Sequence, residues 1–389
     1  MLAGLLFAIR DAEDRPDRLV ATLPFAGTSL IEYQARLLIA AGASQIVVVV
    51  TRLTPDLLGA ISRIGGRGVA VDAVRGAAEA AEKLHPLSRV LVMADGLVTT
   101  ETMLKPLAGD GPETLLVIAD GLAESSCERI GGRMAWAGVA RLGAARLRDV
   151  AAMPCDWDMQ SALLRAASQS GAAHLLLPAT AAAEGHGVEY DAGSLDARSR
   201  AVLAGAVADR RGWFDRWIVA PVGRVLLPAL VGRGVSAGAV AGGGLVLAGL
   251  GLAAIRAEWL VTGLLAMLSA VIAWTLGGVL AALRDERRIA RGQGVAMLMA
   301  PALALLLLAE RLDDTATLAI AVALLTLAGL GERAIVGRSR HLSWSGSGAY
   351  LAVVAIGAIA GAPALGLAAA AIYAAATLGA AIEMLRRQV

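Results

Sequence analysis

The sequence predicts an α/β domain followed by an all-α transmembrane domain of about six helices. Apolar residues make up 57% of the 389 residues, and they are spread unevenly along the chain. Short β-branched runs alternate with helical patterns up to about residue 210, whereas Ala, Leu, Gly and Val dominate beyond about residue 235. Because about 20 apolar residues cross a bilayer, we divide the chain into an α/β domain at 1–208, a linker helix at 209–234 and a membrane domain at 235–389.

Five apolar runs in the first domain are predicted to be buried strands: residues 2–9, 45–50, 68–72, 89–93 and 114–118. Near-continuous runs of this kind suit strands that are covered on both faces. Helical patterns separate them at residues 29–41, 54–64, 77–84 and 100–107. This alternation predicts a mostly parallel sheet with helices on both sides.

The rest of the α/β domain begins with a predicted hairpin. Gly131-Gly132 lies inside residues 128–142 and is a turn signal between two strands. Further elements are predicted at residues 144–152, 157–168, 174–177 and 194–206, of which the third is a strand and the others are helices.

Two segments follow strands at the edge of the sheet where such folds bind ligands. Residues 10–18 are rich in charge and contain no glycine, and Ala94-Asp95-Gly96 follows the fourth strand. An aspartate at a strand end, beside a glycine that lets a ligand approach, can hold Mg²⁺ on a nucleotide phosphate. The alternative is that Asp95 is a turn residue that caps the helix starting near Thr99.

Charge and cysteine content limit the partners of the chain. The net charge of +2 provides no basic footprint for nucleic acid, so we expect no nucleic-acid partner. Cys127 and Cys155 fit neither a metal-ligand spacing nor a disulfide framework. We therefore interpret both as small buried side chains in a reducing compartment.

A resemblance to a known family is visible in residues 23–33, 37–50, 90–96 and 188–200. These segments resemble the sugar-phosphate nucleotidyltransferases. The resemblance implies a Rossmann-like, nucleotide-binding α/β sheet in the cytoplasm, with Asp95 as the metal-binding residue. Mg²⁺ with a nucleotide would then be the cofactor.

The charged segment after the first strand departs from that family. The family's loop is rich in glycine, because backbone N–H groups crowd around a triphosphate. Here the loop contains no glycine, and Val20 stands where the family has a lysine. Arg15 and Arg18 are the substitutes we expect to contact phosphate, together with Asp95 and Gly96. The departures favour a site that does not transfer nucleotides.

The linker at 209–234 contains Trp and Phe on one side, Arg on the other, and proline breaks. This composition is typical of a helix that lies in the membrane interface. The alternative is an ordinary helix between domains.

Six apolar segments follow, at residues 235–254, 259–283, 294–309, 315–331, 348–361 and 364–385. The third and fifth are short for a full span, so five spans is the alternative count. Small residues would let the helices approach closely, namely Gly244, Ala248, Gly277 and Gly278.

Charged residues between the segments predict the orientation. Alternate loops carry arginines, with Arg284, Arg287, Arg288 and Arg291 in one loop and Arg333, Arg338 and Arg340 in another. The intervening loops hold mixed charges such as Glu258 and Asp313. The positive-inside rule then predicts a multi-pass protein of the inner (cytoplasmic) membrane with both termini in the cytoplasm. Few ionisable residues lie within the segments, which argues against a transporter.

A second resemblance begins at residues 212–217 and continues through 234–240. This stretch is similar to the entry of the CDP-alcohol phosphotransferases. These are six-helix membrane proteins, usually dimers, that move a phosphoalcohol from a CDP carrier to an acceptor alcohol, and some carry a nucleotidyltransferase domain in front. The resemblance implies that the protein is embedded in the lipid bilayer. It also implies a homodimer or heterodimer formed through the transmembrane helices.

The catalytic motif of that family is degenerate in this chain. Four aspartates, spaced DxxDGxxAR and then GxxxDxxxD, hold metal ions on the pyrophosphate, and the last acts as a base. The motif positions in this chain are Trp274, Gly277, Gly278, Ala281, Ala282 and Gly294. Trp274 and Gly277 replace the first two aspartates, and residues 294–302 contain no carboxylate. We therefore assign no catalytic residue.

Two functional hypotheses remain. The first is a catalytically degenerate membrane protein that acts as a partner, scaffold or regulator in phospholipid head-group synthesis. The second is an active nucleotidyltransferase or phosphoalcohol transferase that uses a cytidine nucleotide.

Overall fold

The structure is a computed structural model that describes residues 1–123, 127–153, 158–208, 212–335 and 346–386. Two compact units divide the chain, Met1–Val202 and Leu203–Val389. Some residues named from the sequence lie outside the described ranges: Cys155, Arg338 and Arg340.

The first unit contains fourteen strands among its described residues: β1 Leu2–Ala8, β2 Asp11–Ala12, β3 Arg15–Leu19, β4 Pro24–Phe25, β5 Thr28–Ser29, β6 Gln45–Val50, β7 Ala70–Val74, β8 Arg89–Met93, β9 Leu97–Val98, β10 Thr114–Ala119, β11 Arg129–Gly131, β12 Met134–Gly143, β13 Ala173–Leu176 and β14 Gly187–Val188. Its helices are α1 Leu30–Ala40, α2 Pro55–Gly65, α3 Ala77–Lys83, α4 Glu101–Ala108, α5 Ala145–Ala151 and α6 Met159–Gln169. Helix α7, Ala192–Ala208, begins in the first unit and ends in the second.

The main sheet has the order β13-β10-β12-β8-β1-β6-β7, with β11 paired to β12. The prediction of a mostly parallel sheet is confirmed for β1, which pairs in parallel with both β6 and β8. The other side is mixed, because β12 runs antiparallel between β8 and β10. The predicted hairpin explains this arrangement: Gly131 and Gly132 have φ values of 93° and 62°, which reverse the chain.

Both faces of the central strand are covered, as its apolar sequence predicts. All seven residues of β1 are buried, which requires a layer on each side of the sheet. Helix α1 contacts α2 and α4, and helix α5 contacts α3 and α6. The start of α1 is held by a capping box in which Ser29 and Glu32 satisfy each other's backbone N–H groups.

The charged segment after β1 forms a short hairpin. Strands β2 and β3 pair antiparallel, and the N–H of Val20 donates to the carbonyl of Arg10 over 3.0 Å. The guanidinium of Arg52 contacts the Asp11 carboxylate at 2.6 Å. The backbone groups of this segment are therefore partly used by the hairpin itself.

The second unit is helical among its described residues. A π-helical turn, Asp215–Val219, leads into α8 Ala220–Gly232, followed by α9 Ala237–Arg256, α10 Leu260–Leu283, α11 Arg287–Arg311, α12 Thr315–Ile335, α13 Ser347–Ile359 and α14 Pro363–Arg386. Five of these, α9 to α12 and α14, are long and apolar enough to cross a membrane, whereas α13 has only 13 residues. Length and composition therefore indicate a multi-pass membrane protein.

The expectation that the third segment is short was wrong. Helix α11 has 25 residues because the arginines expected in a loop form its first turns. The connection from α10 is only residues 284–286, and Asp285 turns the chain with a φ of 55°.

The linker does not gather its aromatic residues on one side. Phe214 is buried, and its ring lies against Gly348 of α13, whereas Trp217 is 67% exposed. Arg216 stacks over Trp217 at 5.9 Å, so an arginine and a tryptophan share the exposed side. The π-helical turn shifts the periodicity that the sequence pattern assumed.

Close helix contacts in this unit depend on glycine. A Cβ on Gly251 of α9 would lie 2.9 Å from the carbonyl oxygen of Gly263 on α10. Gly357 and Gly366 bring α13 and α14 together in the same way. Gly244 and Gly277, which were predicted to allow close approach, lie against Trp274 and Gln293 respectively.

Candidate functional site

A polar cleft of about 470 Å³ lies beyond the carboxyl ends of β1 and β8. Arg10, which follows β1, and Ala94, which follows β8, both line it. Further polar lining comes from Glu13, Glu128, Gln160, Ser161 and Tyr190. The cleft therefore occupies the place where open α/β sheets bind ligands.

Arg10 is the cation of this cleft. Its guanidinium carbon lies 4.7 Å from the centre of the Tyr190 ring, a cation–π distance. The Glu13 N–H donates to the Tyr190 carbonyl over 2.9 Å, which holds the hairpin beside this ring. Burial raises the pKa of Tyr190, and the charge of Arg10 opposes that rise. The sequence analysis did not single out Arg10, although its position directly after β1 was a signal.

Glu128 supplies a carboxyl group in the same cleft. Burial raises the pKa of Glu128, and the Ser161 hydroxyl and the Arg10 charge act in the opposite direction. A half-buried carboxyl with a raised pKa, near a cation, is typical of a functional cleft. No sequence signal marked Glu128, because it becomes part of the cleft only through the strand order.

Asp95 is fully buried at the end of β8. Its Oδ2 accepts the backbone N–H groups of Ile9 and Arg10, each at 2.8 Å, and its own N–H donates to Oε1 of Gln160 at 3.0 Å. Burial raises the pKa of Asp95 to about 6, although the N–H groups of Arg10 and Ile9 lower it. The carboxylate thus holds the backbone of residues 9 and 10, where the chain leaves the sheet after β1.

The arrangement around Asp95 does not fit a resident Mg²⁺ ion. Mg²⁺ takes oxygen ligands in an octahedron and keeps several of its waters. The second oxygen, Oδ1, has no hydrogen-bond partner, yet the side chain is 0% exposed and Asp95 does not line the cleft. No catalytic step is therefore derived through a metal at this residue.

The backbone conformation and close packing at position 96 require a glycine. Its φ is 75°, and a Cβ there would collide with the carbonyl oxygen of Glu189 and touch the Tyr190 ring at 3.0 Å. The Glu189 N–H donates to the Gly96 carbonyl over 3.0 Å. The glycine therefore lets two chain segments approach each other.

Arg15 and Arg18 do not line the cleft. Arg15 is exposed on β3 and lies 3.9 Å from the Asp14 carboxylate. Arg18 lines a separate, shallow pocket of about 320 Å³ with Asp56 and Arg63. The structure thus places Arg10, rather than either predicted arginine, beside the cleft.

An adjoining pocket of about 450 Å³ lies beyond the ends of β6 and β7. Ile9 and Met159 line this pocket, whereas their sequence neighbours Arg10 and Gln160 line the cleft. Its lining is mostly apolar, with Thr51 among the polar exceptions. The mostly apolar pocket and the polar cleft therefore lie on either side of residues 9 and 10, where the chain leaves β1.

In the helical unit, Trp274 belongs to the interface of α9 and α10. Its side chain is 2% exposed, and Nε1 donates to the carbonyl of Ala241 over 3.2 Å. The ring lies against Gly244, which leaves no room for a Cβ there. Trp274 is therefore a packing residue.

Two further residues singled out from the sequence, Gly277 and Gly278, lie at the contact of α10 with α11. Gly277 faces the amide of Gln293, and a Cβ on Gly278 would lie 3.7 Å from Oε1 of the same residue. Gln293 is 4% exposed, and both atoms of its amide lack a hydrogen-bond partner. Ala281 is buried, whereas Ala282 and Gly294 are exposed.

Of the two acids in the α10–α11 connection, Asp285 has an ion-pair partner, whereas Oε2 of Glu286 is buried without a hydrogen-bond partner. Asp285 pairs with Arg287 at 2.9 Å, and Arg284 donates to the carbonyl of Val235 over 2.9 Å. Among the described residues, no three His, Cys, Asp or Glu side chains are grouped to hold a metal ion.

No family model matches the chain. No curated protein matches it either. Among solved structures, one titled as the inositol-1-phosphate CTP transferase from T. maritima is 16% identical, with a TM-score of 0.35. The match covers 46% of this chain, in its N-terminal half, and 85% of that chain. A CTP transferase is thus one structural neighbour of the α/β half.

Proposed function

We propose that this chain is a membrane protein that resembles a nucleotidyltransferase–CDP-alcohol phosphotransferase fusion but does not transfer phosphoalcohols. It acts as a partner, scaffold or regulator in phospholipid head-group synthesis. The observation that carries the proposal is the packing of Trp274, whose buried indole lies against Gly244 where the family motif requires a metal-binding aspartate.

Metal-dependent transfer needs several carboxylates that converge on one point. At the second aspartate position, Gly277 leaves room for Gln293, because any Cβ would meet its amide. Leu298 and Ala302 stand four and eight residues after Gly294, the spacing of the last two aspartates. Each of the four positions is therefore occupied by a residue that cannot bind a metal ion.

We further propose that both termini and the α/β domain lie in the cytoplasm at the inner membrane. The arginines of the α10–α11 connection and of the first turns of α11 support this orientation through the positive-inside rule. Apolar faces of the helices are exposed, for example at Leu245 and Leu250 on α9. These faces suit the bilayer, or a homodimer or heterodimer formed through the helices.

The decisive experiment measures CMP release by the full chain in nanodiscs. CDP-diacylglycerol is supplied with Mg²⁺ or Mn²⁺ and a mixture of acceptor alcohols. We expect no CMP above the level of empty nanodiscs. Metal-dependent CMP release that EDTA abolishes would overturn the proposal.

A second candidate function is nucleotide binding in the cleft of the α/β unit. The specific observation in its favour is Arg10 stacked on Tyr190 in a polar cleft beyond the strand ends. Calorimetry with CTP and Mg²⁺ tests it: Arg10→Ala should abolish binding. Arg15→Ala is the matched control and should bind as the wild type does. Equal binding by both variants would exclude the cleft as the site.

A further inference from the structure

One edge of the main sheet is open among the described residues. Strand β13, Ala173–Leu176, is the last strand on that side and pairs in parallel with β10. The N–H of Leu177 donates to the carbonyl of Val117 over 2.8 Å, so every second N–H counted back from Leu177 points toward β10. The N–H and C=O groups of His174 and Leu176 therefore point away from the sheet, where a further strand can pair with them.

The side chains of β13 lie at the limit of an apolar face. In the register with β10, Leu176 stands beside Val117 and His174 beside Leu115, so each pair shares one face of the sheet. Val117 and Leu115 are 0% exposed, whereas Leu176 is 62% exposed. The layer that covers β10 therefore stops short of β13, and a further strand would extend this apolar face.

The opposite edge of the same sheet is protected by charge. Strand β7 carries Asp72, whose carboxylate pairs with Lys83 at 3.3 Å and accepts a hydrogen bond from Gln45 at 3.1 Å. Charged side chains on an edge strand discourage pairing with another chain. Residues 172–180, by contrast, contain no Asp, Glu, Lys or Arg. The edge at β13 thus lacks the protection that the edge at β7 has.

The edge of β13 is complementary to a copy of itself. In an antiparallel pair centred on Leu175, His174 of each copy faces Leu176 of the other. Both residues direct their N–H and C=O groups outward, so each facing pair exchanges two hydrogen bonds. Without charged residues the two strands do not repel each other. This symmetric arrangement is an isologous interface, the type that closes a dimer.

We propose that β13 is an interaction surface for a second copy of this chain, with which it forms an antiparallel strand pair centred on Leu175. Two strands of this length bury less than the roughly 1,200 Å² of a stable interface, so the pair forms between copies that one membrane holds close together. The contact joins two α/β units. It goes beyond the proposed function, does not require nucleotide binding and is separate from a dimer formed through the helices.

The test is cysteine crosslinking of the full chain in proteoliposomes. Leu175 would face its own copy at a position without hydrogen bonds, where Cα atoms lie about 4.5 Å apart, and a disulfide joins Cα atoms about 4.4–6.8 Å apart. Leu175→Cys should therefore crosslink two chains under a mild oxidant, and mass spectrometry of the joined peptides identifies the position. Leu87→Cys, which is 84% exposed in the turn before β8, is the matched control. It should crosslink no more than the wild type, whose own cysteines are Cys127 and Cys155.

A second pair of variants tests the strand pairing itself. Leu176→Lys in the Leu175→Cys background places a charge on the edge and should abolish the crosslink. Leu87→Lys in the same background should leave it unchanged. Both lysines stand at exposed positions, so circular dichroism should show the same fold in both variants.

The wild type provides a measurement without any substitution. Hydrogen exchange of peptides that contain residues 173–177 should be slow at a high protein-to-lipid ratio and fast after dilution with lipid, because dilution separates the copies. A crosslink at position 175 that is no stronger than at position 87, a crosslink that persists with Leu176→Lys, or exchange that is independent of dilution would each rule out the pairing of β13 with itself.

Discussion

Replacement of Asp95 by asparagine should remove a pH dependence of folding from the α/β unit. Burial raises the pKa of Asp95 from 3.8 to about 6, and each pKa unit corresponds to about 1.4 kcal/mol. Ionisation of this carboxyl therefore costs the folded state about 3 kcal/mol.

The direction of the effect follows from proton binding. The unfolded carboxyl ionises near pH 4, whereas the folded one stays protonated until about pH 6. Between these values the folded state holds more protons, so its free energy of unfolding falls as the pH rises. The stability is fully present below about pH 4 and is lost as the pH passes about 6.

Asp95→Asn keeps a side-chain oxygen for the N–H groups of Ile9 and Arg10 but does not titrate. The stability difference between the variant and the wild type should therefore grow by about 2 kcal/mol in favour of the variant between pH 4 and pH 6.5. Other titrating groups cancel in this difference.

The assay is native-state hydrogen exchange of peptides from β1 and β8 in the full chain, corrected for intrinsic exchange rates at each pH. These strands report on opening of the core that surrounds Asp95. A difference that stays constant, or that shifts toward the wild type as the pH rises, would refute the reasoning about the buried carboxyl.

Three further predictions concern packing. Trp274→Ala should lower the melting temperature of the helical unit, because the cavity left by a buried aromatic side chain lowers the free energy of unfolding by about 3–5 kcal/mol. Trp259→Ala, at a position that is 68% exposed, is the control and should have little effect. Equal shifts of the melting temperature in both variants would contradict the packing role of Trp274. Gly96→Ala should destabilise the α/β unit by more than about 1 kcal/mol in denaturant titration, because the φ of Gly96 is positive and the carbonyl of Glu189 blocks a Cβ. Gly109→Ala is the control, because a Cβ on Gly109 would meet no atom within 4 Å. Gln293→Met should raise the free energy of unfolding by about 1–3 kcal/mol, and with it the melting temperature, because it removes a buried amide that has no hydrogen-bond partner. A lower melting temperature would show that the amide has a partner in the membrane.

The local pattern of residues predicted much of the architecture. Continuous apolar runs identified the central strands β1, β6 and β8, since strands buried on both faces leave no polar alternation. Glycines 131 and 132 predicted the hairpin, because a tight turn needs positive φ. Apolar length predicted about six membrane segments, since the thickness of the bilayer sets how long they must be; five helices are long enough, and the third segment, α11, was wrongly expected to be short.

Other features arise only when distant segments meet. The insertion of β12 between β8 and β10 depends on strand pairing, which has no local signature. Arg10 and Tyr190 are 180 positions apart in the chain, yet they stack beside the same cleft. Arg15 and Arg18 were expected as phosphate contacts because they lie where the resembling family has its phosphate-binding loop, but Arg15 is exposed on β3 and Arg18 lines another pocket.

The sequence by itself determined that this chain combines an α/β unit with apolar helices, and that no carboxylate stands at positions 274, 277, 298 or 302. Both follow from residue identity and local periodicity, which need no knowledge of neighbours. Only the tertiary structure decided what the residues at these positions contact. Trp274 fills the α9–α10 interface, and Leu298 lines an apolar cavity, because burial and cavity shape depend on which helices pack together.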